Sequence, residues 1–325
     1  MIKTKILVFA LAWAAVPALV HAQPAWPSRP VTLVVGYGAG GTTDILARAL
    51  SEELGKQTGQ TFVVENKPGA NSNIGTEWVS RANPDGYTLL VGSTANSINN
   101  SLYKGLRFDL RKNFTPLARI GSVPNLLVVN KQSPISDLNG YIAKAKEGQG
   151  ALTCASSGVG SAIHMSCELF NIQANTKIRH IPYKGSAAAM TDLLGGHVDS
   201  VFDNMPTVAA NVRAGQLKAL AVTTAKRSPA FPDTPTVTEV LGKPYSVESW
   251  FGIFGPAGMD PAVTTAISTQ INRALSSENY RRRVEDLGAT PPDTAHNSPA
   301  DFSRFVDSEL DKWRMVVDQL QLTME

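Results

Sequence analysis

The chain has 325 residues, of which 43% are hydrophobic and 18% are charged, with a formal net charge of +3. A globular chain of this length buries a large core and tends to form more than one domain. Because acidic and basic residues nearly balance, nothing in the composition indicates nucleic acid or an anionic membrane as a partner.

The first 22 residues have the pattern of a secretory signal peptide. Lys3 and Lys5 precede an apolar run over residues 6–20, and the sequence V-H-A ends at Ala22 as a cleavage site would. The apolar run is short for a bilayer span, although a retained membrane anchor is the alternative. We therefore expect a periplasmic protein that is exported and cleaved after Ala22.

The first predicted strand, over residues 31–35, leads through a glycine-rich turn into a helix. Gly36, Gly38 and Gly41 match G-x-G-x-x-G, the dinucleotide-binding fingerprint. Glu65 follows where an acidic ribose partner would lie. The same turn can hold another anion at the helix N-terminus, so two ligand classes are open at this point.

Short apolar strands alternate with amphipathic helices beyond this turn, which predicts an α/β fold with a parallel sheet flanked by helices. We expect the chain to cross twice between two lobes, near Pro124 and near Val247. The first lobe would comprise residues 23–123 and 247–325, and the second lobe residues 124–246. Two hinge crossings make a clamshell with a ligand cleft between its lobes.

Four loops follow the predicted strands at residues 36–44, 92–99, 156–164 and 203–207, where open α/β sheets bind ligands. They are small, polar and largely uncharged, and such loops bind anions with backbone N–H groups at helix N-termini. The candidate ligand contacts in these loops are Tyr37, Ala39, Gly40, Gly41, Thr42, Ser93, Thr94, Asn96, Ser157, Gly158, Ser161, His164, Asp203 and Asn204.

Several of these residues also have a purely structural interpretation. The glycines can serve turn geometry alone, and His164 can be a packed histidine. Asp203 can orient its loop or meet a donor on the ligand. Tyr37 and Trp250 can stack on a ligand ring, or they can simply form part of the wall of the cleft.

Cys154 and Cys167 are the two cysteines of the chain. In an oxidising compartment they can form a disulfide that closes a short loop. Two buried free thiols are the alternative. Neither cysteine belongs to a C-x-x-C pair or to a zinc-binding spacing, so we expect no redox catalysis and no metal.

The sequence resembles the Bug-type receptors of tripartite tricarboxylate transport almost from end to end after the signal peptide. The motifs that carry the resemblance are WPSRPVTLVV, AGGTTDILAR, VVENKPGANSNIG, PDGYTLLVGS, IPYKGSAAAMTDLLGGHVD, FDNMPT, LKALAVTTAKRSPAFPDTPTVTE and SWFGIFGPAG. The resemblance implies a type II-like periplasmic-binding-protein clamshell that captures a small carboxylate. It also implies that the first two loops hold a carboxylate, partly through water, and that the second-lobe loops contact the distal end. Lys184, in the motif I-P-Y-K-G, joins the candidate contacts on this basis.

The first loop departs from the family pattern P-F-x-A-G-G, because Gly36, Tyr37 and Gly38 stand at the first three positions. The dinucleotide match therefore depends on glycines that the family does not require. An exported protein also meets little NAD, so we expect no cofactor. The Tyr37 hydroxyl, together with Trp250 and Phe251, favours an aromatic carboxylate over a short aliphatic one.

The sequence does not support an enzyme. Residues 101–104 match S-x-x-K, but no K-T-G, G-x-S-x-G or H-E-x-x-H motif accompanies them. We expect a monomeric receptor that delivers its carboxylate to the membrane subunits of a tripartite transporter. A sensor that presents the ligand to a membrane signalling protein is the alternative, and a secreted enzyme is a more remote one.

Overall fold

The structure is a computed structural model that describes residues 26–148 and 150–324. The predicted signal peptide, residues 1–22, lies outside the described residues. None of the described helices is both long enough and apolar enough to cross a bilayer.

The described residues alternate between strands and helices, as predicted. The strands are β1 (Val31–Val35), β2 (Phe62–Asn66), β3 (Thr88–Ser93), β4 (Phe114–Asn130), β5 (Thr153–Ser156), β6 (Arg179–Pro182), β7 (Ser200–Asn204), β8 (Leu217–Val222) and β9 (Glu248–Pro256). The helices are α1 (Thr42–Thr58), α2 (Asn73–Ser80), α3 (Thr94–Leu102), α4 (Leu138–Ala145), α5 (Ala162–Ala174), α6 (Ser186–Leu194), α7 (Met205–Arg213), α8 (Val237–Leu241), α9 (Pro261–Leu275), α10 (Glu278–Asp286) and α11 (Pro299–Leu320).

Local sequence fixes the ends of several helices. The Asp260 side chain accepts from backbone N–H groups at the start of α9, whose first residue is Pro261. Ser298 and Asp301 form a reciprocal capping box at the start of α11. Gly59 ends α1 in the left-handed conformation that favours glycine.

The strands form one sheet in the order β2-β1-β3-β9-β4-β7-β5-β6, with β8 paired to β4. β1 runs parallel to β2 and β3, and β5 runs parallel to β6 and β7. The prediction of a parallel sheet is wrong for β4, β8 and β9, which pair antiparallel with their neighbours. β4 carries the chain from one end of the sheet to the other and β9 carries it back, so these two paired strands run in opposite directions.

The long strand β4 joins the two ends of the sheet. It pairs with β9 as far as Pro124 and with β7 from Asn125 onward. We call the part built on β1, β2, β3 and β9 the first lobe, and the part built on β5 to β8 the second lobe. The predicted crossing near Pro124 falls where β4 changes its pairing partner. The predicted crossing near Val247 falls one residue before β9 begins. The exact lobe boundaries stay a prediction.

Both faces of the sheet are covered by helices, so the strands are buried on both sides. In β1, Leu33 packs in the same cluster as Leu46 of α1, whereas Val34 packs with Phe302 of α11. Helix α11 also reaches the second lobe, where Trp313 packs in its core. A helix of 22 residues spans about 33 Å, enough to support both lobes.

Both cysteines are buried and free in this structure, and the disulfide between Cys154 and Cys167 stays a prediction. Contact with the Cys154 thiol, together with burial, raises the pKa of the Cys167 thiol. Within residues 26–148 and 150–324, no group of three or more His, Cys, Asp or Glu side chains could hold a metal ion.

Candidate ligand-binding site

A cavity lies between the two lobes, where strand–helix turns from both lobes meet. The centre of a water molecule can occupy a volume of about 40 Å³ inside it. Its lining comes from five strand–helix turns and from β9: Tyr37, Gly38, Gly41, Thr42, Thr43, Ser93, Thr94, Ala95, Ser157, Ser161, Ala162, Ile163, Ser186, Asn204, Ser249 and Phe251.

Five helices begin at this cavity. Gly41, Ser93 and Ser161 are the N-cap residues of α1, α3 and α5. Ser186 is the first residue of α6, and Asn204 is the N-cap of α7. Helix N-termini carry partial positive charge and unpaired backbone N–H groups, so five of them around one cavity favour an anion. None of the described residues that line the cavity is charged, which leaves N–H groups and hydroxyls to bind that anion.

The cavity brings together part of the predicted site. The predicted residues that line it are Tyr37, Gly41, Thr42, Ser93, Thr94, Ser157, Ser161 and Asn204. The predicted residues that do not line it are Ala39, Gly40, Asn96, Gly158, His164, Lys184 and Asp203. Several members of this second group hold the lining turns in place.

Sequence reasoning missed six lining residues: Thr43, Ala95, Ala162, Ile163, Ser186 and Ser249. The first four adjoin predicted contacts at the starts of three helices. Ser186 opens a helix after β6, so the strand–glycine–helix pattern that marked the other loops could have found it. Ser249 lies on β9, which returns from the second lobe, and no local motif marks it.

Asp44 stabilises the glycine turn after β1 by hydrogen bonding. The Asp44 carboxylate accepts from the Gly40 backbone N–H at 3.0 Å, from Arg48 at 2.9 Å and from Asn66 at 3.0 Å. Burial opposes the charged form, but these donors hold the pKa of Asp44 below its usual value. Gly40 has a φ of 83°, so this position favours glycine for the turn itself.

Two of the three glycines of the G-x-G-x-x-G match serve packing or capping. Gly41 caps α1, and a Cβ on Gly36 would lie only 2.8 Å from the Cα of Ser72. Glu65, the residue expected at a ribose, forms an ion pair with Lys67 at 2.6 Å. The loop before α2 therefore approaches residue 36 so closely that only glycine fits there.

Tyr37 is tied to that same loop. Its hydroxyl donates to the side-chain oxygen of Asn71 at 2.9 Å, and the Asn71 amide donates to Asn99 at 2.9 Å. Residues 70–72 all have positive φ, so three consecutive non-glycine residues are held in a costly conformation. The second lobe meets them here, because a Cβ on Gly160 would lie 3.2 Å from the Asn71 amide nitrogen.

Asn96 belongs to the cap of α3 rather than to the cavity lining. Its side-chain oxygen accepts from the Ser93 backbone N–H at 2.8 Å, and its amide donates to Thr76 at 2.8 Å. These bonds fix the N-terminus of α3, where Ser93 and Thr94 line the cavity.

His164 is a packed histidine. Its Nδ1 accepts from the Gly160 backbone N–H at 3.1 Å, and its ring lies 3.9 Å from that of His180. His180 in turn bonds the Ser156 hydroxyl at 2.6 Å. Burial, followed by the neighbouring His164, lowers the pKa of His180 to about 3. The two imidazoles thus support the turn that carries Ser157.

Asp203 lies directly behind the cavity wall. One carboxylate oxygen accepts from the Ser186 hydroxyl at 2.9 Å and from the Asn204 backbone N–H at 2.7 Å. The other oxygen has no hydrogen-bond partner among the described residues. Burial raises the pKa of this carboxyl to about 7. Asp203 therefore orients two lining residues, and a contact with the ligand stays a prediction.

The expectation that Trp250 faces the cleft is wrong. Trp250 is 3% exposed, its indole N–H donates to Glu309 of α11 at 2.9 Å, and its ring packs edge-to-face on Phe302. Side chains alternate across a strand, so the next residue of β9, Phe251, faces the cavity instead.

Comparison with known proteins places this chain among transport receptors. The sequence model of the tripartite tricarboxylate transporter family receptor matches residues 46–322. The chain is 36% identical to Protein BugT of Bordetella pertussis, over 94% of this chain and 94% of BugT.

Solved structures agree in fold. The periplasmic binding protein BugD superposes with a TM-score of 0.88 at 32% identity, over 92% of this chain and 100% of BugD. The R. palustris protein Rpa4515 with adipate superposes with a TM-score of 0.87 at 35% identity, over 92% of this chain and 99% of that protein. The fold is therefore the two-lobe α/β clamshell of periplasmic binding proteins.

Proposed function

Because the chain belongs to the tripartite tricarboxylate transporter receptor family, we propose that it captures a small organic carboxylate between its lobes and delivers it to the membrane subunits of a tripartite transporter. The family and the similar structures are binding proteins, and the chain is a receptor rather than an enzyme. We further propose that it acts as a monomer in the periplasm, after cleavage at Ala22.

The observation that carries the proposal is the meeting of five helix N-termini around a cavity whose lining, among the described residues, has no charged side chain. A carboxylate there receives backbone N–H groups, hydroxyls and the positive ends of the helix dipoles. The adipate bound to Rpa4515 supports a carboxylate as the ligand class.

The identity of the acid is a finer proposal. Tyr37 and Phe251 line the cavity, and they support an aromatic carboxylate without the help of Trp250. Adipate and benzoate are therefore suitable first probes for an aliphatic and an aromatic acid.

Capture also requires that ligand binding favours the closed arrangement. The first and second lobes already touch in this structure, where the Thr42 hydroxyl lies 2.8 Å from the Thr207 hydroxyl. We propose that the ligand adds contacts from both lobes at once, because a ligand that bound open and closed forms equally would shift nothing.

The test is calorimetry of the mature protein with Ser157→Ala. Ser157 lines the cavity, and if its hydroxyl donates to the ligand, losing one hydrogen bond of about 0.5–1.5 kcal/mol should weaken carboxylate binding about 2- to 10-fold. Ser161→Ala is a second variant, although it should also cost about 1 kcal/mol of stability because the Ser161 hydroxyl caps α5. The exposed Ser308→Ala is the control. Unchanged affinity in both cavity variants would place the ligand elsewhere.

The proposed compartment has its own test. Mature protein recovered from the periplasmic fraction of the expressing cells should begin at Gln23 when its N-terminus is sequenced. A chain that still carries residues 1–22 and sediments with membranes would instead support the retained anchor.

A further inference from the structure

Asp203 is a buried carboxyl group directly behind two residues that line the cavity. It is the last residue but one of β7, and it is 0% exposed. Its Oδ1 atom accepts from the Ser186 hydroxyl at 2.9 Å and from the Asn204 backbone N–H at 2.7 Å. Ser186 and Asn204 both line the cavity. A negative charge on Asp203 is therefore separated from the cavity by a single hydrogen-bonded residue.

The described chain offers no compensating charge to Asp203. Its Oδ2 atom is buried and has no hydrogen-bond partner within residues 26–148 and 150–324. The elements packed against β7 carry these ionisable side chains: Arg119 on the first-lobe part of β4, Cys154 on β5, His164, Cys167 and Glu168 on α5, Lys184 just before α6, Asp192 on α6 and Arg213 on α7. None of them contributes to the shift in the pKa of Asp203, which burial raises to about 7 against the two hydrogen bonds. The carboxyl therefore changes its charge near neutral pH.

The charge state of Asp203 also sets the direction of the Ser186 hydroxyl. An ionised carboxylate only accepts hydrogen bonds, so Ser186 donates its proton to Asp203 and has none left for a ligand. A protonated Asp203 can instead donate to the Ser186 oxygen, which frees the Ser186 proton for an anion in the cavity. An ionised Asp203 therefore opposes a bound anion in two ways, by like charge and by occupying a donor.

We propose that capture of the ligand carboxylate is linked to a proton on Asp203, with Ser186 as the link: the site binds the anion when Asp203 is neutral and binds it weakly when Asp203 is ionised. Asp203 is a positioning residue that acts through Ser186. This inference rests on the proposed function and adds a regulation to the same site.

The direction of the pH dependence follows from the repulsion between two like charges. A bound carboxylate favours the protonated form of Asp203, so the liganded protein holds this proton more tightly than the ligand-free protein. Binding should consequently take up a proton from the solvent when the pH is near or above 7. Affinity should be greatest below neutral pH and should be lost as the pH rises.

A pH series of binding isotherms tests this linkage. The mature protein is titrated with adipate and with benzoate between pH 6 and pH 9, where simple carboxylic acids, with a pKa of about 4, are ionised. Affinity should fall about tenfold from pH 6 to pH 9. In calorimetry at pH 7.5, the enthalpy of binding should change with the ionisation enthalpy of the buffer, as proton uptake requires. Constant affinity together with an enthalpy that does not depend on the buffer would overturn the inference.

Asp203→Asn assigns the linkage to this residue. Asparagine is neutral at every pH, and it carries both an acceptor oxygen and a donor N–H₂ group. The variant should bind carboxylates equally well at pH 6 and pH 9, and at pH 9 about tenfold more tightly than the wild type. The exposed Asp233→Asn is the matched control and should keep the wild-type pH dependence. A fall in affinity that persists in Asp203→Asn would place the titrating group elsewhere and overturn the inference.

Ser186→Ala tests the link and does not depend on the folding of the first variant. The ligand loses a donor, so affinity at pH 6 should fall about 2- to 10-fold. The ionised Asp203 also loses a donor, so the pH at which affinity begins to fall should move upward. The exposed Ser308→Ala is the control. Weakening by the same factor at every pH would show a purely structural role and overturn the part of Ser186.

The pH series also separates this inference from the proposed function. If carboxylates bind with an affinity that does not change with pH, the proton linkage is wrong while the receptor function stands. If neither adipate nor benzoate binds at any pH, the proposed function itself fails.

Discussion

Asp203 is the residue whose ionisation is most strongly altered by the fold around the site. Its carboxyl is fully buried, and one of its oxygens has no partner within the described chain. Burial raises its pKa from 3.8 to about 7. The folded protein therefore binds this proton more tightly than the unfolded chain. The stability from this group is complete below about pH 4 and is lost as the pH rises through about 7.

Asp203→Asn should consequently stabilise the protein at alkaline pH. The asparagine oxygen can still accept from Ser186 and Asn204, and the buried charge is gone. We expect the free energy of unfolding to rise by about 2–4 kcal/mol at pH 8 and to be nearly unchanged at pH 4. Urea unfolding at both values measures this, with the exposed Asp233→Asn as control. If Asp203→Asn instead destabilised the protein at pH 8, the Asp203 carboxylate would have to be stabilised by a hydrogen-bond or ionic partner.

His180 acts in the opposite direction. Burial and the adjacent His164 lower its pKa from 6.5 to about 3, so the folded protein binds this proton less tightly than the unfolded chain. Its contribution is present above about pH 6.5 and is lost as the pH falls toward 3. Between about pH 4 and 6.5 the effects of Asp203 and His180 on unfolding therefore oppose each other.

His180→Gln should expose the effect of Asp203. Relative to the wild type, its free energy of unfolding should increase as the pH falls from 6.5 to 4, with a slope approaching about 1.4 kcal/mol per pH unit. In the double variant His180→Gln with Asp203→Asn, the pH dependence of the free energy of unfolding that comes from Asp203 and from His180 should disappear relative to the control Asp233→Asn. Parallel unfolding curves for wild type and His180→Gln would show that His180 titrates normally.

The sequence alone predicted the positions of the site residues better than their roles. Asn96, His164 and Asp203 lie in the right loops, but they hold backbone turns instead of lining the cavity. Polar side chains serve both purposes at a helix N-terminus, so residue type does not separate them. Trp250 was misplaced because the period of two decides which neighbour faces the cleft, and an apolar strand buried on both faces hides that period.

At the scale of elements, the strand–turn–helix pattern was the most informative signal. It located four of the turns that meet at the cavity, because a strand followed by small polar residues and a helix always presents a helix N-terminus at the sheet edge. The loop before α2 was not recognised as part of the site. Its role depends on contacts of Asn71 with Tyr37 and Asn99, which are remote in sequence.

Gly36→Ala tests how that loop is placed. A Cβ would lie 2.8 Å from the Ser72 Cα, so the loop must move and the bond between Asn71 and Tyr37 is strained or lost. We expect a loss of about 1–3 kcal/mol in the free energy of unfolding. Gly38→Ala is the control in the same turn, because its nearest neighbour there, the Lys184 carbonyl oxygen, is 3.9 Å away. Equal stability of both variants would show that the loop adapts without cost.

At the scale of the molecule, the alternation of elements predicted the fold class and two crossings. It did not predict that the crossing strands β4 and β9 run antiparallel to their neighbours. Strand direction follows from the path of the whole chain, and local patterns carry no information about it. The contact between the two lobes is equally a property of the whole chain, since it joins residues as far apart in sequence as Thr42 and Thr207.

Thr207→Val tests whether closure and binding are coupled. Thr207 does not line the cavity, and its hydroxyl meets Thr42 across the cleft at 2.8 Å. If the ligand-free protein is open, this bond exists only in the closed form, and its loss should weaken carboxylate binding about 2- to 10-fold while ligand-free unfolding is unchanged. Calorimetry and urea unfolding measure the two effects, with the exposed Thr191→Val of α6 as control. Equal destabilisation with and without ligand would instead show that the lobes stay closed when empty. In that case binding selects no conformation, and recognition by the membrane partner has to depend on the ligand itself.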